Sequence, residues 1–122
     1  MNISEICDSL RSGSDTLALQ TASQKNTALA AVISSIEKNR SAILAANAED
    51  VEAARSKGMT ESLVERLALD DKKINSIIDS IKIIISQTDP IGEECAGWKT
   101  PNGMTIRQVR VPLGVVAIIY ES

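Results

Sequence analysis

The feature that most constrains the fold is an apolar run over residues 115–120, which follows Pro112 and Gly114. The run is Val-Val-Ala-Ile-Ile-Tyr, and polar residues do not alternate with apolar ones in it. A strand with one solvated face alternates, whereas a strand covered on both faces, as in a parallel sheet flanked by helices, is apolar throughout. We therefore predict a buried strand here. Such a strand needs neighbouring strands and a crossover helix, so we expect the front part of a larger α/β protein.

Composition narrows the classes of function. The chain has 122 residues, which suits one domain. Aromatic residues make up 2% and Phe is absent, so we expect an aliphatic core and no aromatic platform for single-stranded nucleic acid. The formal net charge is −3 and no dense Lys/Arg run occurs, which argues against nucleic acid and anionic membranes as partners. The chain has no His, which excludes imidazole catalysis and His-ligated metal sites within it.

The two cysteines, Cys7 and Cys95, fit no metal-ligand or redox spacing. A disulfide between them stays open from sequence, but free thiols in a reducing compartment are the favoured interpretation. The first residues lack the basic and apolar regions of a signal peptide, and no apolar run is long enough to cross a bilayer. We therefore expect a soluble, cytoplasmic protein.

Apolar residues at helical spacing predict five helices between about residues 3 and 86. The first spans about 3–21, and Gly13 weakens it without ending it. We expect Ser23, Ser41, Thr60 and Asp70 to cap the later helices, and Gly58 to end the third. Leu44, Val51 and Ala54 are expected on the inner face of the third helix. The fifth helix carries an apolar stripe of Ile74, Ile77, Ile78, Ile81, Ile84 and Ile85.

The pattern changes at Asp89-Pro90, where Pro and Gly become frequent. The sequence Pro101-Asn102-Gly103 predicts a turn, and the alternation that follows predicts a half-exposed strand over 104–111. Gly114 belongs to no Gly-x-Gly-x-x-Gly or Walker pattern, so we interpret it as a bend between two strands and not as a phosphate loop.

Three passages carry a resemblance to a known family. They are Asn47-Ala48-Glu49-Asp50-Val51, Leu63-Val64-Glu65-Arg66-Leu67-Ala68-Leu69, and Asp89-Pro90-Ile91-Gly92 followed by the segment 107–121, Arg-Gln-Val-Arg-Val-Pro-Leu-Gly-Val-Val-Ala-Ile-Ile-Tyr-Glu. Together they resemble the N-terminal part of the gamma-glutamyl phosphate reductases (glutamate-5-semialdehyde dehydrogenases), within the aldehyde dehydrogenase superfamily. The resemblance covers essentially the whole chain, and the third passage is its most specific part.

The resemblance implies a fold and a reaction. The fold would be α/β, with an N-terminal helical segment leading into the first strands of an aldehyde-dehydrogenase-like nucleotide-binding domain that is incomplete here. Residues 1–122 would be the N-terminal portion of the NADP-binding domain, with helices over about 3–86 and strands over about 104–121. The reaction would be the NADPH-dependent conversion of L-glutamyl 5-phosphate to L-glutamate 5-semialdehyde, with release of phosphate, in proline biosynthesis. The resemblance also suggests two candidate partners, which are a second copy of the chain and glutamate 5-kinase.

In this family a Cys in a separate catalytic domain attacks the acyl group, and hydride from NADPH reduces the resulting thioester. Neither Cys7 nor Cys95 matches that Cys, so we assign no catalytic residue and expect the chain alone to be inactive. By resemblance, the strand end formed by Tyr120, Glu121 and Ser122 lies beside the cofactor. Ligands of open α/β sheets bind beyond the carboxyl ends of strands. The plainer interpretation is a core Tyr followed by a frayed terminus.

Other charged residues have weaker functional interpretations. Arg107 and Arg110 could bind a phosphate, since Arg suits bidentate phosphate recognition, but a solvated face of a half-exposed strand is the default. The carboxylates Glu49, Asp50 and Glu52 could suggest a metal site, although successive helix positions point in different directions.

Two other functions stay open at this point. The first is a helical interaction module that binds a partner or itself through its apolar faces. The second is a non-functional remnant, because an apolar strand without a partner strand is prone to aggregation.

Overall fold

The computed structural model describes residues 2–119. Along the described chain lie α1 (Ile3–Ala18), α2 (Ala22–Lys38), α3 (Arg40–Ser56), α4 (Glu61–Leu67), α5 (Asp71–Ser86), β1 (Glu94–Lys99) and β2 (Thr105–Val109). The mixed α/β class predicted from the sequence is confirmed. The chain divides into two compact units, one of residues 2–22 with 88–119 and one of residues 23–87.

Helix α1 begins with a capping box. The side chain of Asn2 accepts a hydrogen bond from the backbone N–H of Ser4 at 2.6 Å, and the Glu5 carboxylate accepts one from the backbone N–H of Asn2 at 2.9 Å. These bonds satisfy N–H groups that a helix start leaves without partners. The helix continues through Gly13 to Ala18, so the expectation that this glycine weakens but does not end it is confirmed.

Two of the predicted caps are wrong. Helix α2 begins at Ala22 and α3 at Arg40, so Ser23 and Ser41 lie inside their first turns and not at the cap positions. The sequence pattern marks a cap only to within a residue or two, because Ser is acceptable both at the cap and in the first turn.

The other predicted helix ends are confirmed by geometry. Thr60 occupies the N-cap position of α4, without a side-chain capping bond. Asp70 caps α5, and its carboxylate accepts a hydrogen bond from the backbone N–H of Lys73 at 2.7 Å. Gly58 follows α3 with a φ of 77°, a left-handed conformation that glycine adopts without a Cβ penalty.

The core lies in the unit of residues 23–87. Val51 and Ala54 of α3 pack against Val64 of α4, which is fully buried, and Ile74 and Ile78 of α5 are also buried. Full burial of a Val or Ile side chain stabilises the folded state by about 1.5–3 kcal/mol, so this small aliphatic cluster supplies much of the stability of the unit. The inner face predicted for α3 is confirmed at both of its buried positions.

Polar side chains connect the helices of the same unit. The guanidinium of Arg40, at the start of α3, donates to the Asp71 carboxylate at 3.0 Å and to the side-chain oxygen of Asn75 at 2.7 Å. The Lys73 ammonium donates to the backbone carbonyl of Glu65 at 2.8 Å, close to the end of α4. A cation near a helix C-terminus satisfies carbonyl groups that have no partner within the helix. The start of α5 is thereby fixed to both α3 and α4.

In the other unit, β1 and β2 form an antiparallel hairpin. Glu94 pairs with Val109 and Trp98 with Ile106, with an irregularity in register just after Glu94. The turn ends at Gly103, whose φ is 88°. The predicted turn is confirmed, and the predicted strand over 104–111 is confirmed at 105–109. Strand β1 was not predicted, because its sequence Glu-Cys-Ala-Gly-Trp-Lys has no alternation and contains a glycine.

The predicted buried strand over 115–120 is wrong for its described residues. Residues 110–119 have no regular secondary structure, and the exposed fraction is 63% for Val116 and 99% for Ile119. A strand exists through its hydrogen bonds to a neighbouring strand, and the two-stranded sheet of the described chain offers this segment no pairing. An apolar run is therefore present without the sheet and helices that would bury it.

No helix in the described part of the chain combines the length and the apolarity that crossing a bilayer requires.

Candidate functional site

The residues predicted to lie beside a cofactor, Tyr120, Glu121 and Ser122, fall outside the described residues. Their role therefore stays a prediction. What the structure does show is the segment that leads to them. Gly114 adopts a φ of 87° and turns the backbone, as the expected bend requires, but no strand follows it within the described residues.

This leading segment borders a groove of about 580 Å³ against α1. Asp8 and Asp15 contribute two carboxylates to the groove and Arg11 contributes one cation. A groove with more anionic than cationic groups disfavours the phosphates of a nucleotide. The start of α1 is also occupied, because its N–H groups are already capped. The full lining is Cys7, Asp8, Arg11, Ser14, Asp15, Leu113, Gly114, Val115 and Ala117.

The two arginines considered as phosphate ligands are both paired with carboxylates. The Nε atom of Arg110 lies 2.8 Å from the Glu93 carboxylate, and the Nη1 atom of Arg107 lies 3.6 Å from the Glu94 carboxylate. The backbone N–H of Arg110 donates to the carbonyl of Glu93, and its carbonyl accepts from the N–H of Gly92, both at 3.0 Å. Both ion pairs are exposed, and each places a carboxylate beside a guanidinium. The structure therefore supports the solvated-face interpretation over phosphate binding.

A second groove, of about 460 Å³, lies in the helical unit and is lined by residues of α3, of α4 and of the segments before and after α4. Its lining is mostly aliphatic and includes the side chain of Arg66. The lining residues are Asn47, Met59, Leu63, Arg66, Leu67 and Leu69. A groove of this composition suits the packing of an apolar segment more than it suits a reaction that needs acid or base groups.

Asn47 is the residue that sequence reasoning missed. Its side-chain amide donates to the carbonyl of Leu67 at 3.0 Å and accepts from the N–H of Leu69 at 2.6 Å. The segment between α4 and α5 is thus held by one side chain of α3. The available signal was an Asn in a helix of alanines, since Asn competes with helical hydrogen bonding and is a poor choice there unless its amide has a partner elsewhere.

Residues that could carry nucleophilic or metal chemistry are separate from one another. Cys7 and Cys95 are free and exposed, so the free thiols favoured from the sequence are confirmed over a disulfide between them. No group of three His, Cys, Asp or Glu side chains among residues 2–119 could hold a metal ion. Glu49, Asp50 and Glu52 are exposed on α3.

Comparison with known proteins adds an independent observation. No protein-family model matches the chain. The gamma-glutamyl phosphate reductase of Afipia carboxidovorans is 43% identical over 120 residues, which cover 98% of this chain and 28% of that protein. The gamma-glutamyl phosphate reductase of Photobacterium profundum is 41% identical over 122 residues, or 100% of this chain and 29% of that protein. The crystal structure of the enzyme from Thermotoga maritima matches with a TM-score of 0.84 and 40% identity over 88% of this chain and 26% of that one.

The chain is related to the N-terminal part of gamma-glutamyl phosphate reductase. The enzyme from Saccharomyces cerevisiae shares the fold as well, with a TM-score of 0.85 and 26% identity over 92% of this chain and 29% of that one. The chain thus spans less than a third of the length of the gamma-glutamyl phosphate reductases it matches.

Two of the three passages that resemble gamma-glutamyl phosphate reductase meet in the structure. Asn47, which opens the first passage, binds the backbone of Leu67 and Leu69, which close the second. The third passage begins with a turn in which the Asp89 carboxylate accepts from the N–H of Ile91 at 3.1 Å, and its residues 107–109 lie in β2. In the helical unit, the resemblance therefore includes a residue that connects two elements.

Proposed function

We propose that this chain supplies the N-terminal, non-catalytic part of a gamma-glutamyl phosphate reductase. In this proposal residues 1–122 are the N-terminal portion of an NADP-binding domain, and the complete enzyme reduces L-glutamyl 5-phosphate to L-glutamate 5-semialdehyde and releases phosphate, in proline biosynthesis. The observation that carries the proposal is the match to gamma-glutamyl phosphate reductases over 88–100% of the chain, in sequence and in fold together. Sequence identity of about 40%, together with this structural agreement, indicates a closer relationship than a shared fold alone would.

The chemistry of the described residues supports the non-catalytic role. Reduction of an acyl phosphate through a thioester needs an activated thiolate, which a neighbouring base or cation normally provides. Cys95 has the backbone carbonyl oxygen of Glu93 as a neighbour, at 3.9 Å from its sulfur, and an acceptor of this kind does not generate a thiolate. No His exists in the chain to act as a base. The nucleophile is therefore expected in the part of the enzyme that the chain does not match.

NADPH supplies the hydride when it is bound, but the described residues do not fit it by themselves. The groove beside α1 has an excess of carboxylates, and Arg107 and Arg110 are already paired with the carboxylates of Glu94 and Glu93. We keep Tyr120, Glu121 and Ser122 as the proposed contribution of this chain to the cofactor site. For the complete enzyme we propose a cytoplasmic location, with a second copy and glutamate 5-kinase as candidate partners.

The runner-up function is an interaction module that binds through apolar surface. It is favoured by the segment 110–119, in which Leu113 is 93% exposed and Ile118 is 77% exposed. Contiguous exposed apolar residues mark interaction or aggregation surfaces. Such a module would not restore a metabolic reaction, so one experiment separates it from the reductase assignment.

The experiment uses a proline-requiring host whose own gamma-glutamyl phosphate reductase gene lacks the segment that corresponds to this chain. The chain is fused to the remaining part of the Photobacterium profundum enzyme, and growth without proline is scored. We expect the fusion to support growth and the chain alone to give none. A fusion that accumulates but does not support growth, beside a native Photobacterium profundum enzyme that does, would contradict the proposal.

A further inference from the structure

The hairpin turn contains an asparagine whose side chain lies next to an unhindered backbone nitrogen. Asn102 is followed by Gly103, and apart from Gly103 and its two chain neighbours no heavy atom lies within 4 Å of the position that a Cβ at Gly103 would take. Glycine has no side chain to shield its own nitrogen. The other five asparagines are each followed by a residue with a Cβ, and they are Asn2, Asn26, Asn39, Asn47 and Asn75.

The amide carbonyl of Asn102 is polarised by its neighbours. Its Oδ1 atom accepts a hydrogen bond from the hydroxyl of Thr100 and lies 3.4 Å from the backbone nitrogen of Met104. The same hydroxyl lies 3.2 Å from the Met104 carbonyl oxygen, which competes for its hydrogen. Donors aimed at a carbonyl oxygen make its carbon more electrophilic and stabilise the oxyanion that forms when a nucleophile adds.

From these contacts we propose that Asn102-Gly103 is a site of spontaneous covalent self-modification, in which Asn102 is converted through a cyclic imide to aspartate and isoaspartate. Solvent hydroxide removes the proton from the Gly103 nitrogen, and this nitrogen attacks Cγ of Asn102. The bond from Cγ to the side-chain nitrogen breaks, and that nitrogen leaves as ammonia after taking a proton from water. Water then opens the five-membered ring at either carbonyl. The net change is the addition of one water and the loss of one ammonia.

One contact opposes the reaction and sets its rate. The N–H of Gly103 donates to the Thr100 carbonyl at 2.9 Å, so the turn must open before the nitrogen can attack. An exposed hydrogen bond contributes about 1 kcal/mol net, and a two-stranded hairpin is only marginally stable by itself. All residues of β1 are exposed, and in β2 only Ile106 is half-buried. Opening of this hairpin is therefore a low-energy local event.

The two products affect the hairpin differently. Both add one negative charge to a chain of formal net charge −3. Aspartate keeps an acceptor oxygen for the hydroxyl of Thr100. Isoaspartate moves a methylene group into the main chain, which changes the length of the turn. The bond from the Thr100 N–H to the Met104 carbonyl, 2.9 Å long, spans the modified residue and cannot keep its register. Isoaspartate formation therefore unpairs the turn end of β1 and β2.

The test is incubation of the purified full chain in buffers of increasing pH, followed by trypsin digestion and mass spectrometry of the peptide 100–107. We expect conversion at Asn102 at least about tenfold faster than at any other asparagine, because only this one precedes a glycine. The rate should rise roughly tenfold per pH unit, since the attacking nitrogen must lose its proton. The peptide should resolve into aspartate and isoaspartate forms, with Asn102→Asp as the standard and Asn102→Gln as the unreactive control.

Two further variants test the part played by the hydroxyl. Thr100→Val removes the donor to the amide oxygen and should slow conversion several-fold, whereas Thr100→Ser keeps the donor and should restore the rate. Conversion at Asn102 no faster than at Asn26 or Asn47 would overturn the proposal. A rate in Thr100→Val that equals or exceeds that of the unmodified chain would overturn the role of the hydroxyl.

Discussion

Replacing Asn47 with alanine tests the contact that joins the first two family-like passages. The substitution removes the hydrogen bond to the Leu67 carbonyl and the one from the Leu69 N–H, at 3.0 and 2.6 Å. Each bond contributes about 0.5–1.5 kcal/mol net, and the half-buried N–H of Leu69 is left without its acceptor, which adds to the loss. Alanine returns about 0.5 kcal/mol through its higher helix propensity. We expect the free energy of unfolding to fall by about 2 kcal/mol.

The assay is a urea titration followed by far-ultraviolet circular dichroism. With a slope of about 1–2 kcal/mol per molar urea, the midpoint should fall by about 1–2 M. Asn26→Ala is the matched control, because the Asn26 amide makes one bond of 3.4 Å to the Ile85 carbonyl, near the limit for a hydrogen bond. It should change the free energy by less than about 0.5 kcal/mol. Equal losses of unfolding free energy in Asn47→Ala and Asn26→Ala would refute the role assigned to Asn47. The loss in Asn47→Asp, which keeps only the acceptor, should lie between the losses of those two variants.

Four further variants test the described fold by the same titration or by sedimentation. Gly58→Ala should lower the free energy of unfolding by about 1 kcal/mol, because φ at this position is 77°. Gly13→Ala should raise it by up to about 1 kcal/mol, because this glycine lies inside α1 with open space around it. Changes of the same sign in the two variants would contradict the helix assignments. Val64→Ala should lower the free energy of unfolding by about 2 kcal/mol, because the Val64 side chain is fully buried. A loss under about 0.5 kcal/mol would contradict the position of Val64 in the core. We expect the unmodified chain to self-associate through its exposed apolar segment, and the double change Ile118→Lys with Ile119→Lys to reduce that association in sedimentation velocity. A monomeric unmodified chain, or association that the double change leaves unaltered, would contradict this expectation.

The helices could be predicted from sequence because their signals are local. The spacing of Ile74 and Ile78, the Asp70 cap and the left-handed Gly58 all act within a few residues along the chain. Polar contacts between elements could not be predicted, since the amide of Asn47 finds its partners twenty or more residues away.

Strands depend on partners that a local pattern does not contain. Strand β1 includes Gly97 and has no apolar alternation, and it becomes a strand through pairing with β2. The run over 115–119 has every local property of a buried strand, yet it lies exposed because the described chain offers no sheet to receive it. The predicted cofactor residues follow this run and lie outside the described residues, so their role stays a prediction.

The central proposal is that this chain forms a non-catalytic part of a gamma-glutamyl phosphate reductase and does not supply its nucleophilic Cys. The most direct measurement is the turnover of a purified fusion of residues 1–122 to the part of the Thermotoga maritima enzyme that the chain does not match. It is assayed as NADP⁺ reduction with L-glutamate 5-semialdehyde and phosphate. We predict turnover by the fusion, undiminished by Cys7→Ser with Cys95→Ser, and no turnover by the chain alone. Loss of activity in the double serine variant of a folded fusion, or turnover by the isolated chain, would contradict the account.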